Sequence, residues 1–334
     1  MIRRLSKYVA LSVLLYSGIV QGQGLLPKLG EQRAGTASLT FLKIGVGARA
    51  ASVGGAYVAM ANDVTSMHWN PAGLTQIGHH ELMMSHMDWL VDIDLEYLGY
   101  VHQINRLVAV GGFVEFLHMA DMPVTTEYHP YGDGTYFQYS DLATGLSASV
   151  RMTDKFSFGL TFKYVRENMA DLVMDGMMVD IGTYYWTGYR SLRIAAAMRN
   201  FGPELQPDGT YDREQVNGDL EKTEYESFSP PTVFTLGVAM DVWETDAKDH
   251  VLTGTIQMNH PMDDAEDFIA GAEYQWRNLV ALRMGYQMNS EVSPLSFGAG
   301  CKLKLAGKAL KCDYSYSDYN FLNETQQITI GFEF

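Results

Sequence analysis

Segments whose apolar residues recur at every second position run through most of the chain, and this period constrains the fold more than any other feature. In one of them Phe156, Phe158, Leu160, Phe162 and Tyr164 share a face, while Ser157, Gly159, Thr161 and Lys163 share the other. Successive side chains of a strand point to opposite sides, so such a segment has one apolar and one polar surface. The split recurs: Phe234, Leu236, Val238, Met240 and Val242 oppose Thr235, Gly237, Ala239 and Asp241, and Leu192, Ile194, Ala196 and Met198 oppose Arg193, Ala195, Ala197 and Arg199. A soluble sandwich also alternates, but its solvated face is usually rich in Lys and Glu. Here the polar face is mostly Gly, Ser and Thr with scattered charges, which is the pattern of a strand between lipid and a polar lumen.

Charge placement supports that assignment. Arg151, Lys163, Asp180, Arg193, Arg199, Asp241, Glu273, Arg283, Lys302, Lys304, Asp313 and Glu333 all fall on the polar parity. An Arg or Lys facing lipid at the midplane would cost about 2 to 4 kcal/mol, and none of these needs to. Fourteen segments are counted: 80–89, 94–103, 107–118, 137–151, 155–167, 174–186, 191–200, 231–243, 249–259, 266–276, 278–288, 293–305, 308–319 and 325–334. The first alternates poorly on either parity. The expected fold is all-β, a transmembrane antiparallel β-barrel of about 14 strands spanning 79–334. An even count returns both barrel ends to the periplasmic side. The short links at 152–154, 187–190, 277 and 306–307 are then periplasmic, and the long ones at 119–136 and 201–230 extracellular. Trp186, Trp243 and Trp276 each end a strand running toward the periplasm, where an aromatic girdle is expected.

The two ends of the chain point to the same compartment. Arg3, Arg4 and Lys7 precede an apolar run over 9–20, so 1–22 reads as a signal peptide, too short for the roughly 20 residues of a spanning helix. At the other end Ile328, Ile330, Phe332 and Phe334 share a face and the last residue is aromatic. This resembles the C-terminal strand signal read by bacterial barrel assembly machinery, so that machinery and outer-membrane lipid are the expected first partners. A net charge of -15 argues against nucleic acid or anionic lipid. A two-residue loop at 306–307 places Cys301 opposite Cys312 on the lipid-facing parity, where either a disulfide or two free thiols fits the strand spacing.

No constellation for chemistry stands out, and no enzymatic activity, cofactor or metal is expected. Gly45-Val46-Gly47 lacks the third glycine and the βαβ setting of a nucleotide-binding loop. His79 and His80 are split by parity onto opposite faces, away from any shared metal with His86. The methionines of 174–178 read as lipid-facing packing, and the acidic stretch 204–226 as a solvated loop.

Residues 23–78 have a different texture, rich in Gly and Ala, without alternation after Leu42. They contain Gly45, Gly47, Arg49, Gly54-Gly55-Ala56-Tyr57 and Asp63, followed closely by Trp69-Asn70-Pro71-Ala72-Gly73-Leu74. Together with the barrel pattern, this stretch resembles the PorV/PorQ family and, more distantly, the FadL family of channels for hydrophobic compounds. The resemblance implies a short helix at the Gly-Gly-Ala-Tyr segment and a hatch, formed by 23–78, folded into the barrel lumen. It also implies an accessory or shuttle role in type IX protein secretion, with secreted proteins or other secretion components as partners. The alternative it implies is a FadL-like channel, although the inward positions, read as Gly, Ser, Thr and charge, offer no continuous apolar path.

Overall fold

The computed structural model describes residues 35–214, 220–288, 295–305, 307–319 and 324–334. The expected signal peptide therefore lies outside the described residues. The strands are β1 (Glu81–Asp88), β2 (Ile93–Gln103), β3 (Val108–Met119), β4 (Met122–Pro123), β5 (Tyr136–Phe137), β6 (Tyr139–Arg151), β7 (Phe156–Met169), β8 (Leu172–Trp186) and β9 (Arg193–Phe201). They continue with β10 (Thr210–Glu214), β11 (Leu220–Glu224), β12 (Val233–Glu244), β13 (His250–Pro261), β14 (Asp267–Trp276), β15 (Val280–Met288), β16 (Leu295–Leu305), β17 (Lys308–Asp318) and β18 (Glu324–Glu333). Fourteen of these close one antiparallel barrel in chain order, β1 pairing with both β2 and β18. The fourteen segments counted by period are these strands. The other four form two-stranded ribbons, β4 with β5 and β10 with β11, inside the two longest links.

The seam joins the first strand to the last. Glu81 lies opposite Glu333, and His80 and Phe334 exchange backbone hydrogen bonds of 3.0 and 3.2 Å just beyond it. Ile328, Ile330, Phe332 and Phe334 all point outward, and the Phe334 ring stacks on Tyr100 at 6.2 Å between centroids. Deleting Phe334 removes both this contact and the last seam bonds. The expected result is less heat-modifiable, assembled barrel in the membrane fraction with undiminished export; unchanged assembly would show that the terminal aromatic is dispensable.

The charged residues assigned to the interior mostly point there and are buried or half-buried, Lys304 near the β16–β17 turn being exposed. Outward ionisable groups occur near the opposite end. His86 and Glu96 meet at 2.7 Å, with Asp88 at 3.0 Å from the same imidazole, and this mutual pairing offsets the unfavourable setting. Trp243 and Trp276 are exposed outward as a girdle requires. Trp186 departs from that expectation: it shares the inward parity of the buried Tyr184, and its indole donates to Gln76 Oε1 at 3.2 Å.

The methionines of β8 also need correcting. Met174 and Met178 are 3% and 1% exposed and face the lumen, whereas Met177 between them is 67% exposed. The reason is that an apolar cluster occupies part of the lumen beside β1–β8. Met83, Leu95, Phe113, Leu117 and Val165 point inward there and pack with Leu42, Val46, Val64, Met67 and Leu74 of the N-terminal segment. Each such buried Leu, Met or Val contributes roughly 1.5 to 3 kcal/mol. This also explains the weak alternation of β1, which has Met83 and Met87 inside and Leu82 and Met84 outside.

The β16–β17 register sets Cys301 directly opposite Cys312, as the hairpin spacing requires. Both are free thiols on the outward face. The closing pair of a two-residue hairpin is hydrogen-bonded, and alternation makes Cys301–Cys312 the same type of pair, whose wider Cα spacing is the less favourable one for a bridge.

Candidate functional site

Residues 39–77 pack against the inward faces of the strands and are almost entirely buried. They form a 3-10 turn (Thr40–Lys43), α1 (Ala48–Ser52), α2 (Ser66–Trp69) and a second 3-10 turn (Pro71–Gln76). The helix expected at Gly54-Gly55-Ala56-Tyr57 lies just before it. Gly54 and Gly55 have φ of 71° and 83°, left-handed values that end α1 instead of continuing it. Gly47, with φ 89°, caps the start of α1, and Gly45 lies against the Trp69 ring, 2.9 Å from where a Cβ would stand.

The remaining motif residues divide into two anchors. In the first, Arg49 donates through Nε and Nη2 to both carboxylate oxygens of Glu273 on β14, at 2.8 and 2.9 Å. Its Nη1 reaches Asn62 at 2.5 Å and lies 3.6 Å from Asp63. Asp63 accepts from the Tyr57 hydroxyl at 2.5 Å and from the backbone N–H and hydroxyl of Thr65 at 3.0 and 2.6 Å. Glu273 also accepts from Arg283 at 2.6 Å, and Arg283 donates onward to Asp313 at 2.6 Å. A chain of alternating charge thus runs from the luminal segment into the wall of β14, β15 and β17. Such a buried network is favourable only when every member is paired, as these are.

The second anchor is Asn70. Its extended backbone (φ -163°, ψ 100°) is what the following proline demands. The side chain donates to Val58 O and Thr183 O, both at 3.1 Å, and accepts from Ala72 N at 3.1 Å. Trp69, beside it, donates to Val46 O at 2.9 Å. The wall makes room with glycine: a Cβ on Gly182 would stand 2.1 Å from Asn70 Oδ1, and one on Gly159 would stand 2.3 Å from the Pro71–Ala72 backbone.

The segment separates two cavities. One of about 260 Å³ opens toward the short-turn end, between Arg49, His79, Lys302, Lys311 and Glu333. There Lys311 holds Glu81 and Glu333 at 2.9 and 2.7 Å, and His79 lies 3.3 Å from Glu333. Those two neighbouring carboxylates, first Glu333 and then Glu81, push the pKa of the His79 imidazole up to about 9. The other cavity, about 170 Å³, lies at the loop end, lined by Trp69, Arg199, Lys43 and Asn259. Sequence reasoning gave Arg199 an inward position but no role.

The loop end is tied to the luminal segment. Ala37 bridges Ser229, Ser38 N donates to Ser229 O at 3.2 Å, and Leu205 sits in the luminal apolar cluster. Beyond these ties the links are exposed, Tyr128 being 88% and Tyr131 98% accessible.

The closed fourteen-strand antiparallel barrel is a fold shared with FadL-family barrels. Solved structures agree. The monoaromatic hydrocarbon channel CymD is similar with a TM-score of 0.56 at 13% identity, covering 89% of this chain and 97% of its own. The toluene transporter TodX of Pseudomonas putida gives 0.56 at 14% identity, with 86% and 97% covered. The toluene transporter TbuX of Ralstonia pickettii gives 0.55 at 14%, also with 86% and 97% covered. At these identities the likeness is one of fold. No curated protein matches the chain in sequence. The profile of Type IX secretion system protein PorV matches residues 28–244, most of the chain, and the protein belongs to the PorV family. It is an outer-membrane protein associated with type IX secretion.

Proposed function

We propose that this barrel serves secretion as a binding platform, its loop-end surface holding the C-terminal signal domains of exported cargo while 23–78 acts as a fixed luminal seal. One observation carries the reading: residues 39–77 are fastened to the wall on several sides, by Arg49–Glu273, by Asn70–Thr183 and by packing on β1–β8, and divide the lumen into two separate cavities. A seal so anchored suits a rigid scaffold whose work is done by its links. The ribbons of 119–138 and 202–232 are the longest of those links and carry exposed tyrosines and charge.

A second reading, a channel for hydrophobic compounds, draws support from the apolar cluster inside β1–β8. Against it, the ladder from β1 to β9 is continuous apart from a bulge at Val179/Ile181, leaving no lateral exit there.

Excising 209–224 while keeping Leu205 and Phe228 removes the β10–β11 ribbon but not its anchors. Recovery of secreted partners with the purified barrel should fall at least about tenfold, a loss of roughly 1.4 kcal/mol, with heat-modifiable migration unchanged. Asn70→Ala should leave partner recovery intact. If the excision has no effect and Asn70→Ala instead blocks uptake of a hydrophobic compound, the channel reading replaces this one.

A further inference from the structure

We infer that the loop-end cavity binds a carboxylate, with the Arg199 guanidinium as its anchor. Arg199 points inward from β9, is 5% exposed, and has no hydrogen-bond partner at Nε or Nη1. Its one close neighbour of note is the Trp69 ring, 5.1 Å from the guanidinium carbon. The other luminal cations are satisfied among the described residues: Arg49 and Arg283 by Glu273, Lys163 by Asp180, Arg193 by Asp241, Lys302 and Lys311 by Glu333, and Arg151 by Thr75 O. The acids whose fields reach Arg199 are Asp180 and Glu115, and neither forms an ion pair or hydrogen bond with it. Asp180 accepts from Asn200 N at 2.7 Å and faces Lys163 at 2.8 Å, while Glu115 faces His68 at 3.4 Å through Oε2 and keeps Oε1 buried without a hydrogen bond. A buried cation without a partner is unfavourable, and a bound anion removes the penalty.

The cavity's other groups narrow the ligand. Lys43 on its rim is neutralised by Asp263 at 2.7 Å, so it adds no free charge. Asp267, which hydrogen-bonds Gln287, also lines the space and disfavours a dianion such as phosphate. One free cation facing one acid suits a monoanion. Trp69, Met87 and Ile269 supply an apolar flank, and Ser296 and Asn259 supply hydrogen-bonding groups. A volume of about 170 Å³ holds the end of a molecule, an apolar group bearing a carboxylate. Two sources share that chemistry: a free organic acid, and the C-terminus of a polypeptide entering from the loop end. The inference is independent of the loop reading, because excising 209–224 leaves every residue of the site in place.

The test is calorimetric titration of the purified full-length barrel in detergent with benzoate, and with a short peptide ending in Phe as free acid and as amide. At least one acid should bind saturably, Arg199→Gln should weaken it at least about tenfold, and Arg199→Lys should keep part of the affinity. Binding of benzoate alone assigns the site to free acids, and binding of the peptide acid but not its amide assigns it to a chain terminus. Heat-modifiable migration should be unchanged in Arg199→Gln, since no protein hydrogen bond is lost. If that variant fails to assemble, the acid-against-amide comparison in the unaltered protein still decides. No saturable binding of either acid, equal binding of acid and amide without benzoate binding, or binding indifferent to Arg199→Gln overturns the proposal.

Discussion

Gly285→Val is expected to abolish the assembled barrel. A Cβ at Gly285 would stand 2.2 Å from both Gly54 N and Val53 C, so it meets backbone that has no rotamer by which to withdraw. The segment there is held in place by Arg49–Glu273 on one side and by the positive φ of Gly54 and Gly55 on the other. Overpacking a flexible core costs about 1 to 3 kcal/mol, and a clash of backbone on backbone exceeds that because neither side can yield. The heat-modifiable band should disappear, with rapid proteolysis of the chain. Gly254→Ala is the control, since its added Cβ meets only Val242 Cγ1 at an ordinary 3.6 Å. Normal yield and protease resistance of Gly285→Val would mean that the segment does not rest against β15 as described.

Arg49→Met should be the most destabilising change in the luminal segment itself. It leaves Glu273 with Arg283 as its only cation, beside the Gln275 amide, and removes the cation beside Asp63, in a site where both carboxylates are buried. Breaking a buried ion pair from one side costs about 3 to 5 kcal/mol, because the partner's charge stays desolvated. Reversible urea unfolding in detergent or lipid would read the loss as a lower midpoint. Arg49→Lys should recover only part of it, since an ammonium cannot span both Glu273 oxygens and Asn62 as the guanidinium does. A loss below about 1 kcal/mol for Arg49→Met would reduce this contact to the rank of a surface pair.

The candidate site was only partly legible in the sequence. Gly45, Gly47, Gly54, Gly55, Arg49, Asp63, Trp69, Asn70, Pro71 and Ala72 stood out as a motif, and the structure brings all of them into the lumen. Their partners did not stand out, because Glu273 and Thr183 lie more than a hundred residues away and parity says only that they point inward. The helix was misplaced by a few residues for a local reason. Ala48–Ser52 and Gly54-Gly55-Ala56-Tyr57 are both rich in small residues, and the two positive-φ glycines that separate helix from turn show themselves only in the backbone.

The sequence pattern determined most of the wall by itself: alternation marked the strands, weakly for the first, to within a few residues and set the inward placement of the wall's charges, and the two-residue link at 306–307 set the register that opposes Cys301 and Cys312. It could do so because a strand's period of two is local and is written once per residue. It could not say what the inward residues would touch. Met174 and Met178 looked lipid-facing because an apolar parity has two possible apolar neighbours, the membrane and a buried segment, and only the seating of Leu42, Val46 and Met67 beside β1–β8 chose between them. The same holds for Trp186, turned inward to Gln76, and for Arg199, whose lack of a partner is a property of distances among five or six chain segments. Periodicity is set along the chain, whereas pairing in a lumen is set across it, and the second follows only from the closed barrel with its N-terminal segment in place.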